Sequence, residues 1–266
     1  MRCVLRSLLV RFWLISAVLV GVLPRLALGQ QAPTIAAASD LQFALEEIAA
    51  KFKQDSGNEV RLTFGSSGNF ARQIEQGAPF EIFLSADEAL VFGLADKALT
   101  KDRGELYAIG RIVLFAPKGS PLAANLSAEG LRKAAGDGAL KHLAIANPEH
   151  APYGRAAQQW LTTHRLWESL QPLLVLGENA SQAAQFATAG DSQGGIIPYS
   201  LALAPRLADV GTFVLLPETE HEPLRQRMAL LKNASGTAER FYDYMTSRAA
   251  REIMRRYGFV LPDESQ

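Results

Sequence analysis

Phe64-Gly65-Ser66-Ser67-Gly68-Asn69 is the stretch on which the fold turns. In front of it Val60, Leu62 and Phe64 alternate with polar residues, the period of a strand. Behind it Phe70 and Ile74, stopped by Gly77-Ala78-Pro79, mark a short helix. A strand that ends in small hydroxyl residues and opens a helix gathers backbone N–H groups and hydroxyls at one point. That is an anion site in outline, because a helix start carries unpaired N–H groups and the positive end of the dipole. A plain strand–turn–helix corner has the same appearance, so the reading depends on a second half elsewhere in the chain.

The neighbours of this corner repeat its pattern. Residues 34–38 (TIAAA) form an apolar run that reads as a buried strand, followed by Ser39-Asp40 and then Leu41, Leu45, Ile48 and Phe52 at helical spacing. Ser39 with Gln42 makes a capping-box pattern, which predicts Ser39 as the N-cap of that helix and Gly57 as its end. Residues 81–87 supply a third strand and turn. Strand–helix–strand–helix–strand order implies a parallel α/β sheet.

Residues 108–116 form a longer apolar segment, read as a strand crossing between lobes. A second α/β unit follows: a helix over 127–135, a strand over 142–146, a loop over 147–154, a helix with Ala157, Trp160 and Leu161, and a strand over 173–176. Then come the corner Glu178-Asn179-Ala180-Ser181, a helix through Ala189 and a strand over 195–197 ending in Pro198-Tyr199-Ser200. Residues 213–216 read as the return crossing, 228–231 as one more strand and 235–256 as a closing helix. The predicted fold is α/β with two lobes, each a mostly parallel sheet flanked by helices, joined by crossing strands.

The chain has 266 residues, 48% of them hydrophobic and 20% charged, which excludes a disordered chain. Its formal net charge of zero shows no nucleic-acid footprint. Arg2, Arg6 and Arg11 precede an apolar core over 12–23, then Pro24 and the small-x-small pattern Ala27-Leu28-Gly29, the form of a cleaved secretory signal peptide. The apolar core is short for a membrane span. The expected division is therefore a signal peptide over 1–29, a first lobe over 30–112 plus 217–266, and a second lobe over 113–216. Four of the 27 basic residues lie in the leader, which leaves 23 bases against 27 acids in the mature chain. Cys3, the single cysteine, also lies there. A cysteine-free exported chain of this size suits the periplasm better than a disulfide-stapled module.

Four corners now stand at the carboxyl ends of predicted parallel strands: Ala38-Ser39-Asp40, Ser66-Ser67-Gly68, Ala151-Pro152-Tyr153-Gly154 and Glu178-Asn179-Ala180-Ser181. Ligands of open α/β sheets bind at that end. None of the corners holds a Lys or Arg, so they offer neutral donors only, which suits a fully ionised tetrahedral oxyanion. Asp40 is an acid at the first corner and would suit a protonated anion such as hydrogen phosphate if it pointed inward. His142, His150, His164 and His221 make no metal-ligand pair at helical spacing. A serine hydrolase would need a His and an acid brought to Ser66 or Ser67, with His150 as the candidate base. Asn125, Asn179 and Asn233 begin glycosylation sequons, but each precedes a predicted helix, where capping accounts for the residue types.

The segments AAASDL (36–41), FGSSGNFARQIEQGAPFEIFLSAD (64–87) and ANPEHAPYG (146–154), with FYDY (241–244) and YGF (257–259), resemble the periplasmic molybdate-binding proteins of ABC importers. The resemblance implies a periplasmic binding protein fold of type II. It implies capture of molybdate, with tungstate next, and delivery to a membrane permease. By motif it carries ligand hydroxyls onto Ser39 and Ser67 and backbone N–H donors onto Tyr153 and Ala180. A tyrosine hydroxyl of some members falls on Pro198 here, with Tyr199 one place later. The ligand metal would be met as an oxyanion through Ser39, Ser67 and Ala180, with no metal-cation ligands. No cofactor and no catalytic residue are implied, and a monomer is expected. The alternatives are sulfate or phosphate in the same fold, and an exported serine hydrolase.

Overall fold

The computed structural model describes residues 31–188 and 191–264. The leader expected over 1–29 lies outside them. The chain begins with β1 (Thr34–Ala38), a 3-10 turn (Ser39–Leu41), α1 (Gln42–Ser56), β2 (Arg61–Gly65), α2 (Ser67–Glu75), β3 (Ile82–Ser85), α3 (Glu88–Asp96) and β4 (Glu105–Gly110). It continues through β5 (Ile112–Pro117), α4 (Ala128–Gly136), β6 (Leu143–Ala146), α5 (Pro152–Thr163), α6 (Trp167–Leu170), β7 (Leu174–Gly177) and α7 (Ala180–Thr188). It closes with β8 (Gly194–Pro198), α8 (Tyr199–Ala202), α9 (Pro205–Ala208), β9 (Gly211–Leu215), β10 (Leu224–Leu230), α10 (Gly236–Tyr244) and α11 (Arg248–Arg256).

Two five-stranded sheets result, in the orders β2-β1-β3-β10-β4 and β7-β6-β8-β5-β9. Each is parallel apart from its fourth strand: β10 runs against β3 and β4, and β5 runs against β8 and β9. The two lobes thus share one topology. The central strands are apolar on both faces because helices cover both sides. Ile35, Ala36 and Ala37 are buried, with α1, α10 and α11 contributing to the core on one face and α2 and α3 on the other. A third core fills the second lobe around Phe115, Trp160 and Ile197.

Register explains why the corners meet. Ala38 pairs with Gly65, so Ser39 and Ser66 leave adjacent strands side by side. Ala146 pairs with Gly177, so Asn147 and Glu178 do the same in the other lobe.

Four expectations change in detail. The apolar run 108–116 is not one strand: it divides at Arg111, giving β4 to the first sheet and β5 to the second. At Gly110 an added Cβ would stand 2.2 Å from the Tyr153 hydroxyl, so the chain passes that point without a side chain. The stretch 213–216 belongs largely to β9, an edge strand, and the return crossing comes after it. The closing helix is two helices, because Ser247 caps α11 through the Ala250 N–H at 3.2 Å. The loop over 147–154 is shorter than expected, since α5 already begins at Pro152, whose fixed φ and missing N–H fit a first helical position.

Candidate functional site

Each of the four corners ends a strand and starts a helical turn, so each brings first-turn N–H groups that have no partner within the helix. At α2, Ser66 is the N-cap and accepts from Asn69 N at 3.3 Å, while Gly68 N donates across the cleft to the His150 carbonyl at 3.0 Å. Ser67 N–H is left without a partner among the described residues. At α5, Pro152 has no N–H, and Gly154 and Arg155 donate to the Ala151 carbonyl, which leaves Tyr153 N–H. At α7, Gln182 N donates to Asn179 Oδ1 and Ser181 N to Ser39 Oγ, which leaves Ala180 N–H.

Two serine hydroxyls complete the set. Ser39 Oγ accepts from Ser181 N at 3.1 Å, and Ser67 Oγ accepts from Ala86 N at 3.0 Å. Each hydroxyl therefore has a lone pair committed to a backbone donor, and its own proton has no acceptor among the described residues. Both residues are buried. The sequence predicts Ser39 as the cap of its own helix, yet its side chain takes no N–H of that helix: the 3-10 turn starts after Ala38, and the hydroxyl accepts from the first turn of α7 in the other lobe instead.

Ser39, Ser67, Tyr153 and Ala180 line one cavity, together with Asp40, Ser66 and small residues of the strand ends. None of its lining residues is Lys, Arg or His. The cavity measures about 10 Å³, room for about one water. A larger groove of about 360 Å³ between β7 and the helices α5 and α6 holds Glu149 and no cation or convergent helix start, so its chemistry does not suit an anion.

Tyr199 is not among the lining residues. It opens α8 with its N–H on the Arg111 carbonyl at 2.9 Å, and its ring packs edge-on against Phe213 at 5.7 Å. The Tyr153 hydroxyl is also committed elsewhere: it donates to Asp40 Oδ2 at 2.9 Å.

Sequence reasoning passed over most of the polar network behind the cavity. Asp40 is almost fully buried, and its Oδ2 also accepts from Gln226 Nε2 at 2.7 Å. Burial pushes its carboxyl up to about 6, against the lowering effect of the hydrogen bonds from Gln226 and Tyr153. Tyr107 and Tyr153 lie well above the ordinary phenol range, first through burial and then through the charge of Asp40. Ser200 Oγ donates to the Asp40 carbonyl at 2.8 Å, and Ser181 Oγ to the Ser39 carbonyl at 2.9 Å. Asp40 stood out as an acid next to a corner; Gln226, 186 positions away, gave no local signal.

Ser66 meets His150, with Oγ 2.9 Å from Nδ1 and 3.1 Å from the His150 carbonyl, and His150 Nε2 stands 3.5 Å from Glu178. The trio has the composition of a hydrolase triad. Its bonds serve contact between the lobes: Ser66 also caps α2, and Glu178 takes the Asn69 amide at 2.6 Å. Among the described residues, no group of three His, Cys, Asp or Glu could hold a metal ion.

Fold and cavity together define a two-lobed binding protein with a donor-lined cleft between its sheets. The profile of the bacterial extracellular solute-binding proteins matches residues 33–260, and the chain belongs to that family. It is similar to the molybdate-binding protein ModA of Rhodobacter capsulatus, 33% identical over 235 residues, which cover 85% of this chain and 86% of that one. A Bacillus subtilis relative, named as a candidate ABC transporter substrate-binding lipoprotein, is 28% identical over 85% of both chains. Among solved structures, the periplasmic molybdate-binding protein of Azotobacter vinelandii superposes with a TM-score of 0.78 at 29% identity, over 86% of this chain and 99% of that one. The chain is a binding protein and not an enzyme.

Proposed function

We propose that this chain captures molybdate, and tungstate with it, between its two lobes and hands the anion to the permease of an ABC importer. One observation carries the reading: two serine hydroxyls and three helix-start N–H groups, from both lobes, converge on one cavity without a cation. Neutral donors of this kind suit a dianion that carries no proton of its own. The names of the Rhodobacter capsulatus and Azotobacter vinelandii relatives support molybdate as that anion. The Bacillus subtilis relative's name supports the transporter role.

Donors on both lobes make the anion a bridge, so it stabilises the closed arrangement over an open one. A periplasmic location follows from the family and from the leader pattern. No helix among the described residues is long and apolar enough to cross a membrane. A monomer is the working form in this reading.

A second reading rests on Asp40. Asp40 is among the lining residues, and an ionised carboxylate turned toward the anion would accept a hydrogen bond from monohydrogen phosphate, which molybdate cannot give. Calorimetric titration with molybdate, tungstate, sulfate and phosphate separates the two. Tight binding is expected for molybdate and tungstate alone. Tight phosphate binding with none for molybdate would install the second reading, and preference for sulfate would reject both.

A further inference from the structure

Gln226 is a fully buried amide in β10, a strand whose other buried side chains, Leu224, Met228 and Ala229, are apolar. Burying an amide is costly unless its donors and its acceptor are all matched. Here they are. Oε1 accepts from the Tyr107 hydroxyl at 2.8 Å, and Nε2 donates to Asp40 Oδ2 at 2.7 Å and to the Tyr153 hydroxyl at 2.9 Å. The Tyr153 hydroxyl gives its own proton to Asp40 Oδ2 at 2.9 Å. A reversed amide would set its oxygen against the carboxylate, acceptor on acceptor, so the chemistry fixes its orientation.

Two irregularities of the strands serve the same cluster. The pairing of β10 with β4 slips after Gln226: Gln226 faces Ala108 and Arg227 faces Leu106, so Tyr107 is passed over. A bulge of this kind re-aims a side chain, and here the Tyr107 hydroxyl ends on Gln226. Gly110, at the end of β4, leaves the cluster room: a Cβ there would stand 2.2 Å from the Tyr153 hydroxyl and 2.7 Å from Gln226 Nε2. A buried amide, a bulge and a close glycine therefore converge on one bond, between Gln226 of the first lobe and Tyr153 of the second.

We propose that Gln226 is a positioning residue for anion capture: it holds Asp40 and the Tyr153 hydroxyl together across the two lobes, and so fixes the start of α5 with the Tyr153 N–H turned to the anion. The inference rests on the molybdate reading above. Gln226 is not among the residues that line the cavity, so its effect passes through Tyr153 and Asp40. Because the bonds join one lobe to the other, they are made as the cleft closes and break as it opens. Their loss therefore acts on release of the anion more than on its capture.

The test is a double-mutant cycle read in molybdate affinity by calorimetry, with release rates from stopped-flow mixing, on wild type, Tyr153→Phe, Gln226→Leu and the pair. Tyr153→Phe keeps the backbone N–H and the ring and removes only the hydroxyl. Each single variant is expected to bind about tenfold more weakly, the scale of one or two lost hydrogen bonds. The pair is expected to lose no more than the weaker single, because both remove the same link. Release should quicken by the factor lost in affinity, with capture changed less than about twofold. Affinity within about twofold of wild type in Tyr153→Phe overturns the inference, and that arm stands even where Gln226→Leu does not fold. A lowered melting temperature in Gln226→Leu with wild-type affinity overturns it too, by making the residue a part of the core only. Additive losses in the pair do the same. No molybdate binding by wild type would overturn the molybdate reading, and this inference with it.

Discussion

Ser39 and Ser67 sit in the same chemical situation on neighbouring strand ends. Each accepts a backbone N–H and keeps a proton for the cleft. Ser39→Ala and Ser67→Ala should each weaken molybdate binding by about 1.5–3 kcal/mol, the worth of a hydrogen bond to a charged group. Losses under about 0.5 kcal/mol in both would mean that neither hydroxyl touches the anion. Tyr199→Phe should change affinity by less than about 0.5 kcal/mol, since that ring packs on Phe213 outside the cavity. Asp40 also has a stability consequence independent of any ligand. Its folded pKa is raised from 3.8 to about 6, so the stability linked to its proton is complete below the unfolded value and is lost as pH rises through the folded one. Two units correspond to about 3 kcal/mol. In urea melts, Asp40→Asn should gain on wild type by up to that amount between about pH 4 and pH 7. A difference that stays constant with pH would show that Asp40 does not titrate in that window.

At the scale of elements, the site is a meeting of four helical starts, and α2 is packed closely against the other lobe. A Cβ on Gly68 would lie 2.6 Å from the His150 carbonyl of the other lobe. That contact exists only while the lobes are closed. Gly68→Ala is therefore expected to lower molybdate affinity by about tenfold or more, a cost near 1.4 kcal/mol. Its anion-free melting temperature should move little. An unchanged affinity would show that the bound form does not bring α2 and His150 this close. The strand–helix order around residues 34–87 was legible because apolar periodicity and Gly/Pro stops are local signals. The break at Arg111 was not. Residues 108–116 are apolar apart from Gly110 and Arg111, and the Tyr153 hydroxyl that lies over Gly110 comes from 43 positions away.

For the whole molecule, a ligand that binds the folded, closed form raises its stability by mass action. Molybdate at a thousandfold excess over its dissociation constant should add about 4 kcal/mol. Melting curves with and without the anion would read this as a rise in melting temperature, accompanied by a smaller radius of gyration in solution scattering as open molecules close. Stabilisation without any compaction would argue that the lobes stay closed at all times.

The sequence alone determined the kinds of element, their order and the small hydroxyl corners that end four parallel strands, because propensity, periodicity and turn chemistry act within a few residues. It also set Ser39 and Ser67 at helix starts, since a hydroxyl there is a local pattern, and their part in binding came from the family resemblance. Only the tertiary structure decided how those donors are spent. Strand register set Ser39 beside Ser66 and Ala146 beside Gly177, closure gave the Ser39 hydroxyl to Ser181 in place of a cap, and burial joined Asp40 to Tyr153 and Gln226. Those bonds span 113 to 186 positions of chain, and no local pattern carries information over such distances.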